Sequence, residues 1–518
     1  MMKQFTFRTL LAVTTASLLF TACKDENDDG NTSKTTYEFS VKAEDNPIDA
    51  PADGKTYTIL VTSTKTAQAG TSAVAYEVVS SPEWAPAELE QTALVITVAK
   101  NSSTEAREPG KVVLKQDESD KTLEITINQA GFSNSMSLEA TYSTDRCKVL
   151  LIEPAITGFD QNPVYKWTVK GPNDAEAAEA GTDKTLSFIQ LKTGDYIVSL
   201  TVTDDSSITE TKSATVTVAT EATAYSPYIS EVLEYKPTPA TKLAQYSINP
   251  TINSYSSALA TAKDVLIGKE YKEQSKGINI GTFGGSIVFK FDHTIINVPG
   301  YRDFSIRSFE TKTSYPAQGI VMVAFDKNGN GEPDDDEWYE LAGSEHRKVT
   351  VQKNITVTYE RPSTFSPSYP MSEYIRWTLS NKETGWLAAP MQMGTDYTQI
   401  WPYWLQTADE GKTIEVSGLT MLQPLFSCPG GFMVTTKDFY DYGYVCNGMT
   451  QDETAASFDI DWAVDANEQA IKLPGIDFVK VYTANMPILG DGYGTGFCSI
   501  NSAYDLHLAG KEIETIAQ

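Results

Sequence analysis

The chain has 518 residues, of which 41% are hydrophobic and 21% charged, so its length predicts two to four domains and its composition supports folded cores. Its 68 acidic residues outnumber the 41 basic ones and give a net charge of -27, which excludes the basic face that a nucleic-acid-binding protein presents to phosphate. Only three histidines are present and the five cysteines have no CxxC spacing, which argues against multi-histidine metal sites, zinc ribbons and thioredoxin-like chemistry.

Residues 1–22 have the pattern of a secretory signal peptide. Lys3 and Arg8 precede an apolar run that is too short to cross a bilayer, and a small residue stands just before Cys23. This ending resembles the lipobox of bacterial lipoproteins, in which the cysteine is lipidated and becomes the first residue. The resemblance implies that outer-membrane lipid is a partner of the chain through Cys23. A plain secretory signal that is cut elsewhere is the alternative.

Residues 23–35 are polar and acidic, and we predict that they form a flexible tether behind the lipidated cysteine. The start Cys-Lys-Asp-Glu resembles the signal that sends Bacteroidota lipoproteins to the outer face of the outer membrane. The resemblance implies a cell-surface location, whereas the charge run by itself indicates only a solvated segment. No other stretch reaches about 18 continuous apolar residues, so no membrane-spanning helix is predicted.

Residues 36–132 alternate apolar and polar side chains, as in Leu123–Ile127, with turns between the runs. Alternation with period two and short spacing predicts an antiparallel sandwich of the immunoglobulin type. From Trp84 to Gly131 the segment resembles the BACON domain of Bacteroidota surface proteins. The resemblance implies a spacer that holds another domain away from the membrane.

Residues 137–220 form a second predicted β module. Tyr165–Val169 and Gly194–Asp204 resemble the tryptophan strand of a PKD domain and the closing strand that packs against it. The resemblance implies a second immunoglobulin-like fold and, again, a spacer role.

Residues 228–512 contain short β-like runs between clusters of Gly, Pro, Asn and Asp, and only Ser257–Val265 has the periodicity of a helix. This length predicts a large β-sandwich of the jelly-roll type, the candidate ligand-binding domain. The predicted fold class is therefore all-β and multidomain, with two immunoglobulin-like sandwiches before the large one.

The strongest local motif is Asp326–Glu337, which fits the spacing D-x-N-x-N-G-x5-E of a calcium-binding loop. Oxygen-bearing side chains at alternate positions converge on one Ca²⁺ ion, and glycine allows the sharp turn. Its flanks, Gly319–Phe325 and Trp338–Leu341, have the pattern of strands, so we predict a structural calcium loop in a hairpin. The predicted ligands are Asp326, Asn328, Asn330, Glu332 through its carbonyl, Asp334 and Asp335. An ion-free acidic hairpin with Asx turns is the alternative.

Much of residues 228–510 resembles a family of Bacteroidota surface lipoproteins. The similarity is carried by Phe283–Phe289, Gly319–Glu345, Phe458–Ala484 and Ala503–Leu508. Such proteins are similar to galactose-binding-type jelly rolls and are often encoded beside TonB-dependent outer-membrane transporters, including those for corrinoids. The resemblance implies a TonB-dependent transporter as partner and leaves the ligand unassigned.

Four aromatic residues are candidates for ligand contact, because Trp and Tyr faces stack on sugar rings or on a planar macrocycle. They are Trp386, Trp401, Tyr403 and Trp404. The alternative is that they fill the core of the sandwich.

Cys428 and Cys446 both lie in turn-like sequence and are candidates for a disulfide in an oxidising envelope, although the pairing does not follow from sequence. We identify no catalytic residues, because the chain contains no GxSxG, HExxH or P-loop motif. We therefore predict a non-enzymatic protein that captures an extracellular glycan or corrinoid-type ligand. An adhesin or scaffold and a glycan-active hydrolase are the alternatives.

Overall fold

The structure is a computed structural model, and it describes residues 35–516 apart from short gaps. The gaps are residues 91–92, 104, 133, 160–161, 205–208, 242–251, 253, 272–276, 309–315, 366–370, 391–399, 407–408, 428–433, 436–438 and 448–451. The predicted signal peptide, Cys23, most of the tether and Cys428 therefore lie outside the described residues. The chain divides into two compact units, Met1–Asn134 and Ser135–Gln518, and the division falls between the predicted modules 36–132 and 137–220.

The first unit is a β fold around one hydrophobic core. In its last strand Ile125 and Ile127 are buried while Glu124 is exposed, which is the alternation that the sequence predicts. Its strands are β1 (Thr36–Ser40), β2 (Ile48–Ala50), β3 (Lys55–Ile59), β4 (Thr62–Ala67), β5 (Gly70–Ala73), β6 (Tyr76–Ser80), β7 (Ala87–Glu90), β8 (Ala93–Val98), β9 (Arg107–Gln116) and β10 (Thr122–Gln129). They form sheets with the orders β1-β4-β5, β2-β10-β9-β6 and β3-β8-β7, and β2 pairs with β10 in parallel.

The second unit begins with a β module that contains the predicted tryptophan strand. Its strands are β11 (Ser135–Ser137), β12 (Thr141–Asp145), β13 (Leu150–Ile152), β14 (Ala155–Thr157), β15 (Val164–Lys170), β16 (Ala178–Gly181), β17 (Leu186–Phe188), β18 (Gly194–Thr203) and β19 (Thr209–Ala219). The main sheet has the order β12-β19-β18-β15-β16. Trp167 is fully buried opposite Leu200, and its indole N–H donates to the Asp183 carbonyl at 2.9 Å. The core of this module therefore forms where β15 packs beside the closing strand β18.

The rest of the second unit is also mainly β. Its strands are β20 (Glu231–Lys236), β21 (Ile278–Gly281), β22 (Ser286–Ile296), β23 (Phe304–Arg307), β24 (Gly319–Ala324), β25 (Trp338–Leu341), β26 (Gln352–Glu360), β27 (Met371–Leu379), β28 (Thr384–Ala389), β29 (Thr413–Met421), β30 (Phe426–Ser427), β31 (Val434–Thr435), β32 (Ser457–Phe458), β33 (Ala463–Val464), β34 (Gly475–Thr483), β35 (Ile488–Leu489), β36 (Gly494–Thr495), β37 (Cys498–Ile500) and β38 (Ser502–Asp505). The larger sheets have the orders β20-β22-β34-β24-β25-β33, β28-β27-β26-β29 and β32-β23-β38. The predicted all-β, multidomain sandwich class is confirmed.

The six-stranded sheet is buried on both faces. The strands from β20 onwards enclose two hydrophobic cores. The first core contains Val321 and Val481, and the second contains Ile320 and Tyr482, so neighbouring residues of β24 point into different cores. The same division holds in β34 for Val481 and Tyr482. The four-stranded sheet covers the second core, and the small sheets and a helix cover the first. The uninterrupted apolar run at residues 319–325 follows from this two-sided burial.

The predicted helix at Ser257–Val265 is confirmed as α1 (Tyr255–Leu266). Ser254 caps its N-terminus, because the Ser254 hydroxyl accepts the N–H of Ser257 and the Ser257 hydroxyl accepts the N–H of Ser254. One face of the helix packs on the first core. Its buried side chains are Ala258, Ala262 and Leu266. A second, one-turn helix is α2 (Gly490–Tyr493).

At Phe283–Gly285 two backbone segments lie in direct contact. A Cβ atom on Gly285 would lie 1.7 Å from the carbonyl oxygen of Ile280. Gly284 has a φ of 89, in the left-handed region, and its N–H donates to the Thr483 carbonyl at 2.9 Å. The two glycines therefore allow β22 to begin directly against β21 and β34.

We expect Gly285→Ala to lower the free energy of unfolding by about 2–4 kcal/mol, because the backbone of Ile280 has to move to admit the methyl group. Urea unfolding measures this change. Gly492→Ala is the matched control, since a Cβ there meets nothing within 4 Å and should change the stability by less than about 0.5 kcal/mol. Equal effects of the two substitutions would contradict the close approach.

Candidate functional site

The calcium-type loop joins two adjacent strands, as predicted. β24 and β25 pair antiparallel, with Ala324 opposite Trp338, and residues 325–337 connect them. The flanks are strands and the loop ends in a short 3₁₀ turn, Asp335–Glu337. The motif is therefore held in a hairpin rather than between helices.

Side chains inside the loop hold its backbone in a tight turn. The two carboxylate oxygens of Asp326 accept the N–H groups of Asn330 and Gly331 at 3.0 and 2.8 Å. The amides of Asn328 and Asn330 donate to the same oxygen of Asp334, at 2.6 and 2.9 Å. Asp326, Asn328, Asn330 and Asp334 are thus brought together, as predicted.

The other predicted positions lie at the rim of the loop. The N–H of Glu332 donates to the side-chain oxygen of Asn330 at 2.7 Å, and Asp335 is exposed at the start of the 3₁₀ turn. Glu337 is buried, and its carboxylate accepts the N–H groups of Lys327 and Asp334 at 2.9 and 3.2 Å. Glu337 therefore closes the two ends of the loop through backbone N–H groups.

The donor chemistry of the loop fits a hard cation. Two carboxylates, Asp326 and Asp334, lie beside two amide side chains, and both kinds of group offer oxygen. A cation at the centre would replace the two amide donors of Asp334, and the amides would then present their oxygens. In the described ranges no group of three or more His, Cys, Asp or Glu side chains is arranged to hold a metal ion, so amide and carbonyl oxygens would have to complete the ligand set.

Strand register connects the loop to the neighbouring strands. Phe478 of β34 is paired with Ala324 on one side and with Lys290 on the other. Next to it, the carboxylate of Asp477 accepts the N–H of Asp326 at 2.8 Å and the hydroxyl of Thr294 at 2.5 Å. Burial raises the pKa of Asp477, and these two donors oppose the rise. One partly buried carboxyl group therefore links the start of the loop to β22.

A bulge in β22 lies opposite this carboxyl group. Lys290 pairs with Phe478 and Ile295 pairs with Ile476, so residues 291–294 face the single residue Asp477. A bulge of this kind re-aims the side chains of its strand. Here Asp292 is left exposed while His293 is buried.

A cleft of about 540 Å³ opens at this bulge. It lies between the PKD-like module (β11 to β19) and the strands from β20 to β38, which we call the larger β region. One wall is residues 147–149 of the module, and the other includes the β22 bulge, Asp326 and Gly331 of the loop, and Phe478. Its charged lining residues are Asp145, Lys148, Lys290, Asp292, Asp326 and Asp477. The walls are joined by an apolar cluster of Cys147, Ile189 and Ile296. A cleft of this size falls within the range of small-ligand sites.

His293, which lines the cleft, and His507 belong to a network of histidines and carboxyl groups that the sequence analysis missed. The side chain of His293 is fully buried and is bound by Asp292 at 2.8 Å and by Asp505 at 2.9 Å. His507 is bound by Asp303 at 2.9 Å. The sequence carries Asp292-His293 and Asp505-Leu506-His507. The bonds from His293 to Asp505 and from His507 to Asp303, however, join residues more than 200 positions apart.

Burial and ion pairing act in opposite directions on these groups. Burial lowers the pKa of His293, but its bonds to Asp505 and Asp292 outweigh burial and raise the pKa overall. The pKa of His507 is raised in the same way through Asp303. Burial raises the pKa of Asp303 to about 6. In contrast, burial and then Lys353 lower the pKa of His346, which lies elsewhere in the fold.

The four predicted ligand-contact aromatics are separated by the fold. Trp401 is 1% exposed and lies in the second core, while Tyr403 and Trp404 are partly buried against the first. Trp386 is 39% exposed on β28, opposite Arg376 of β27. Of the four, Trp386 alone presents a large part of its ring to solvent, and Trp401 is a core residue.

Cys446 lies beside a different cysteine from the predicted one. It is a free cysteine in the structure, and its Sγ is 3.6 Å from the Sγ of Cys498. Because Cys428 lies outside the described residues, the Cys428–Cys446 pairing stays a prediction. The structure gives Cys498 as the sulfur neighbour of Cys446.

Comparison with known proteins supports the PKD-like module. Residues 155–218 match a family model that describes a PKD domain, which confirms the prediction for that segment. No curated protein matches the chain. The chain is thus a multidomain β protein that contains a PKD-like domain.

Several solved structures are similar to parts of the chain. A protein from Bacteroides vulgatus ATCC 8482 is 28% identical over 20% of this chain and 94% of its own, with a TM-score of 0.16. The fibronectin(III)-like modules of Clostridium thermocellum CbhA are 14% identical over 35% of this chain and 95% of their own, with a TM-score of 0.14. Among the described residues no helix is long and apolar enough to cross a membrane.

We expect the stability of the protein to fall as the pH rises above about 6.5, the ordinary pKa of histidine. A histidine whose folded pKa is raised contributes its full stabilisation below the unfolded pKa and loses it as the pH passes the folded pKa. Thermal unfolding at a series of pH values measures this slope.

The matched pair of variants is His293→Gln and His346→Gln. The first should flatten the fall above about pH 6.5. The second should keep that fall, because the lowered pKa of His346 affects stability only below its unfolded pKa. An unchanged slope in His293→Gln would show that the network does not set the pH dependence.

Proposed function

We propose that the chain is an extracellular capture protein, anchored through a lipid on Cys23 at the outer face of an outer membrane. The first unit, with its BACON-like sequence, and the PKD-like module hold the larger β region away from the membrane. That region binds a nutrient non-covalently and passes it to a TonB-dependent transporter. The cleft beside the β22 bulge is the observation that carries the proposal.

The lining of the cleft favours a polyhydroxylated ligand. Four carboxyl groups and two ammonium groups line it, and both kinds hydrogen-bond to sugar hydroxyls. The Tyr225 ring, which stacks near His293 with 5.2 Å between ring centroids, adds an apolar surface. A short glycan segment is therefore the first candidate, and a corrinoid, whose macrocycle is larger, is the second.

Two groups of the cleft, Cys147 and His293, support the proposal of binding rather than turnover. The thiol at its edge, Cys147, is buried, and burial raises its pKa to about 12, so it stays protonated and is a poor nucleophile. His293 is held on both ring nitrogens by carboxylates. These residues orient and bind a ligand without offering an activated nucleophile.

The calcium-type loop would fix one wall of this cleft. Bound calcium would supply a positive charge that holds Asp326, Asn328 and Asp334 together. Asp326 also donates its N–H to Asp477, so the loop and the cleft wall share a hydrogen bond. The loop residues thus position the wall, and the ligand itself contacts the cleft residues.

We expect isothermal titration calorimetry of the chain without its lipid anchor to show saturable binding of one class in a panel of host glycans, plant glycans and corrinoids. The double variant Lys148→Ala/Lys290→Ala should bind that ligand at least tenfold more weakly, about 1.4 kcal/mol, because it loses a donor from each wall.

The control is Lys184→Ala, a surface lysine paired with Glu153, which should bind like the parent chain. Trp386→Ala tests the exposed face of the four-stranded sheet, which carries Trp386 on β28. Loss of binding in Trp386→Ala with unchanged binding in the double variant would place the ligand on that sheet instead of in the cleft. No binding by any class would overturn the capture function.

We expect calcium to raise the thermal midpoint by a few degrees at about 100 times its dissociation constant, since a ligand of the native state stabilises it by about 2.7 kcal/mol there. Asp326→Asn should reduce this shift because it removes one charge, while it keeps one of the two oxygens that accept backbone N–H groups in the turn. Asp465→Asn is the control, as Asp465 also accepts two backbone N–H groups in a turn. A calcium shift that is the same in both variants would contradict the loop assignment.

A further inference from the structure

Two cysteines from distant parts of the sequence meet inside the first core. Cys446 follows a short bridge to β24, and Cys498 begins β37. Their Sγ atoms are 3.6 Å apart, and the side chains are 3% and 0% exposed. A disulfide has its sulfurs about 2.05 Å apart, so a small movement separates this arrangement from a bond.

The backbone on both sides of the pair is fixed. Val445 exchanges two hydrogen bonds with Gly319, at 3.0 and 2.9 Å. Cys498 pairs with Gly281 in the sheet β21-β37. The N–H of Ser499 also points at the Cys446 sulfur, at 3.3 Å. The two Cα positions are therefore set by strand pairing, and the sulfurs approach each other as a result.

The conformation of Cys446 is unusual for its residue type. Its φ is 58, in the left-handed region that non-glycine residues rarely adopt. Such a conformation persists only where the surroundings over-determine it. A covalent link at this residue is one such constraint, and it would hold the segment 439–447 between the two cores, since Tyr444 packs in the second and Cys446 in the first.

We propose that Cys446 and Cys498 form a disulfide in the exported protein. Each thiol loses a proton and the pair gives up two electrons as the S–S bond forms. The electrons go to a dithiol oxidase that carries a disulfide, which is reduced to its dithiol through a mixed-disulfide intermediate. Because both sulfurs are buried in the folded core, the exchange takes place before that core closes.

This pairing is an alternative to Cys428–Cys446, the candidate pair in turn-like sequence. The bond joins residues 52 apart and ties a loop segment to β37, whereas the Cys428–Cys446 bond would close a much shorter loop. Cys147 is a natural internal control. It is buried with Ile189 and Ile296 in a separate cluster and stays a thiol.

The test is a peptide map of the chain after export through an oxidising compartment. The protein is unfolded in guanidinium with an alkylating agent and no reductant, then digested and analysed by mass spectrometry. The expected result is a cross-linked peptide pair that contains Cys446 and Cys498, with Cys147 and Cys428 alkylated. A cross-link between Cys428 and Cys446, or alkylation of all four, would overturn the proposal.

Thermal unfolding gives a second measurement. Denaturing reduction followed by refolding in reductant should lower the thermal midpoint by roughly 5 °C relative to the oxidised chain. Cys446→Ser should have the lower midpoint with or without reductant, and Cys147→Ser should keep the difference between the two conditions. An oxidised chain with the same midpoint as the reduced one would contradict a disulfide that stabilises the fold.

Discussion

The second unit depends on a six-stranded antiparallel sheet that is buried on both faces. Apolar residues of β24 and β34 divide between the two cores, with Val321, Val323, Val479 and Val481 in one and Ile320 and Tyr482 in the other. The polar groups of the loop and the cleft lie at strand ends, bulges and connections. The calcium-type loop follows the last residue of β24, and the cleft opens where β22 leaves its register with β34.

Asp477 has the central place in this arrangement. It is partly buried between β22 and the start of the loop, and its carboxyl group accepts donors from both. A buried carboxyl group is costly unless it is hydrogen-bonded, so the two donors are held in position by the need to satisfy it. The same logic applies to His293, whose two ring nitrogens are both paired. The cleft is thus lined by groups whose orientation the core fixes.

Local patterns in the sequence were enough for the strands, the helix and the hairpin. Alternation of side chains located β10, and the periodicity of Ser257–Val265 located α1. The oxygen-rich motif between two apolar runs identified the loop, because the hydrogen bonds among the loop's own residues span ten residues or fewer. The PKD-like segment was predicted from a resemblance carried by two strands, that of Trp167 and the closing strand paired with it.

Contacts between residues far apart in the chain could not be predicted from local sequence patterns. The burial of Trp401 depends on a sheet formed by residues before and after it, so its exposure could not be derived from its neighbours. The bonds from His293 to Asp505 and from Cys446 toward Cys498 likewise join elements far apart in the chain. The bulge that forms the cleft is a register shift, which no pattern within β22 alone reveals.

The central claim is that the loop and the cleft wall respond together, through Asp477. Hydrogen–deuterium exchange of the chain with and without calcium tests it most directly. The account predicts slower exchange on calcium addition in residues 326–337 and also in residues 290–294 and 475–478, which are joined to the loop by hydrogen bonds and strand pairing. Slower exchange confined to the loop, or no change at all, would contradict it.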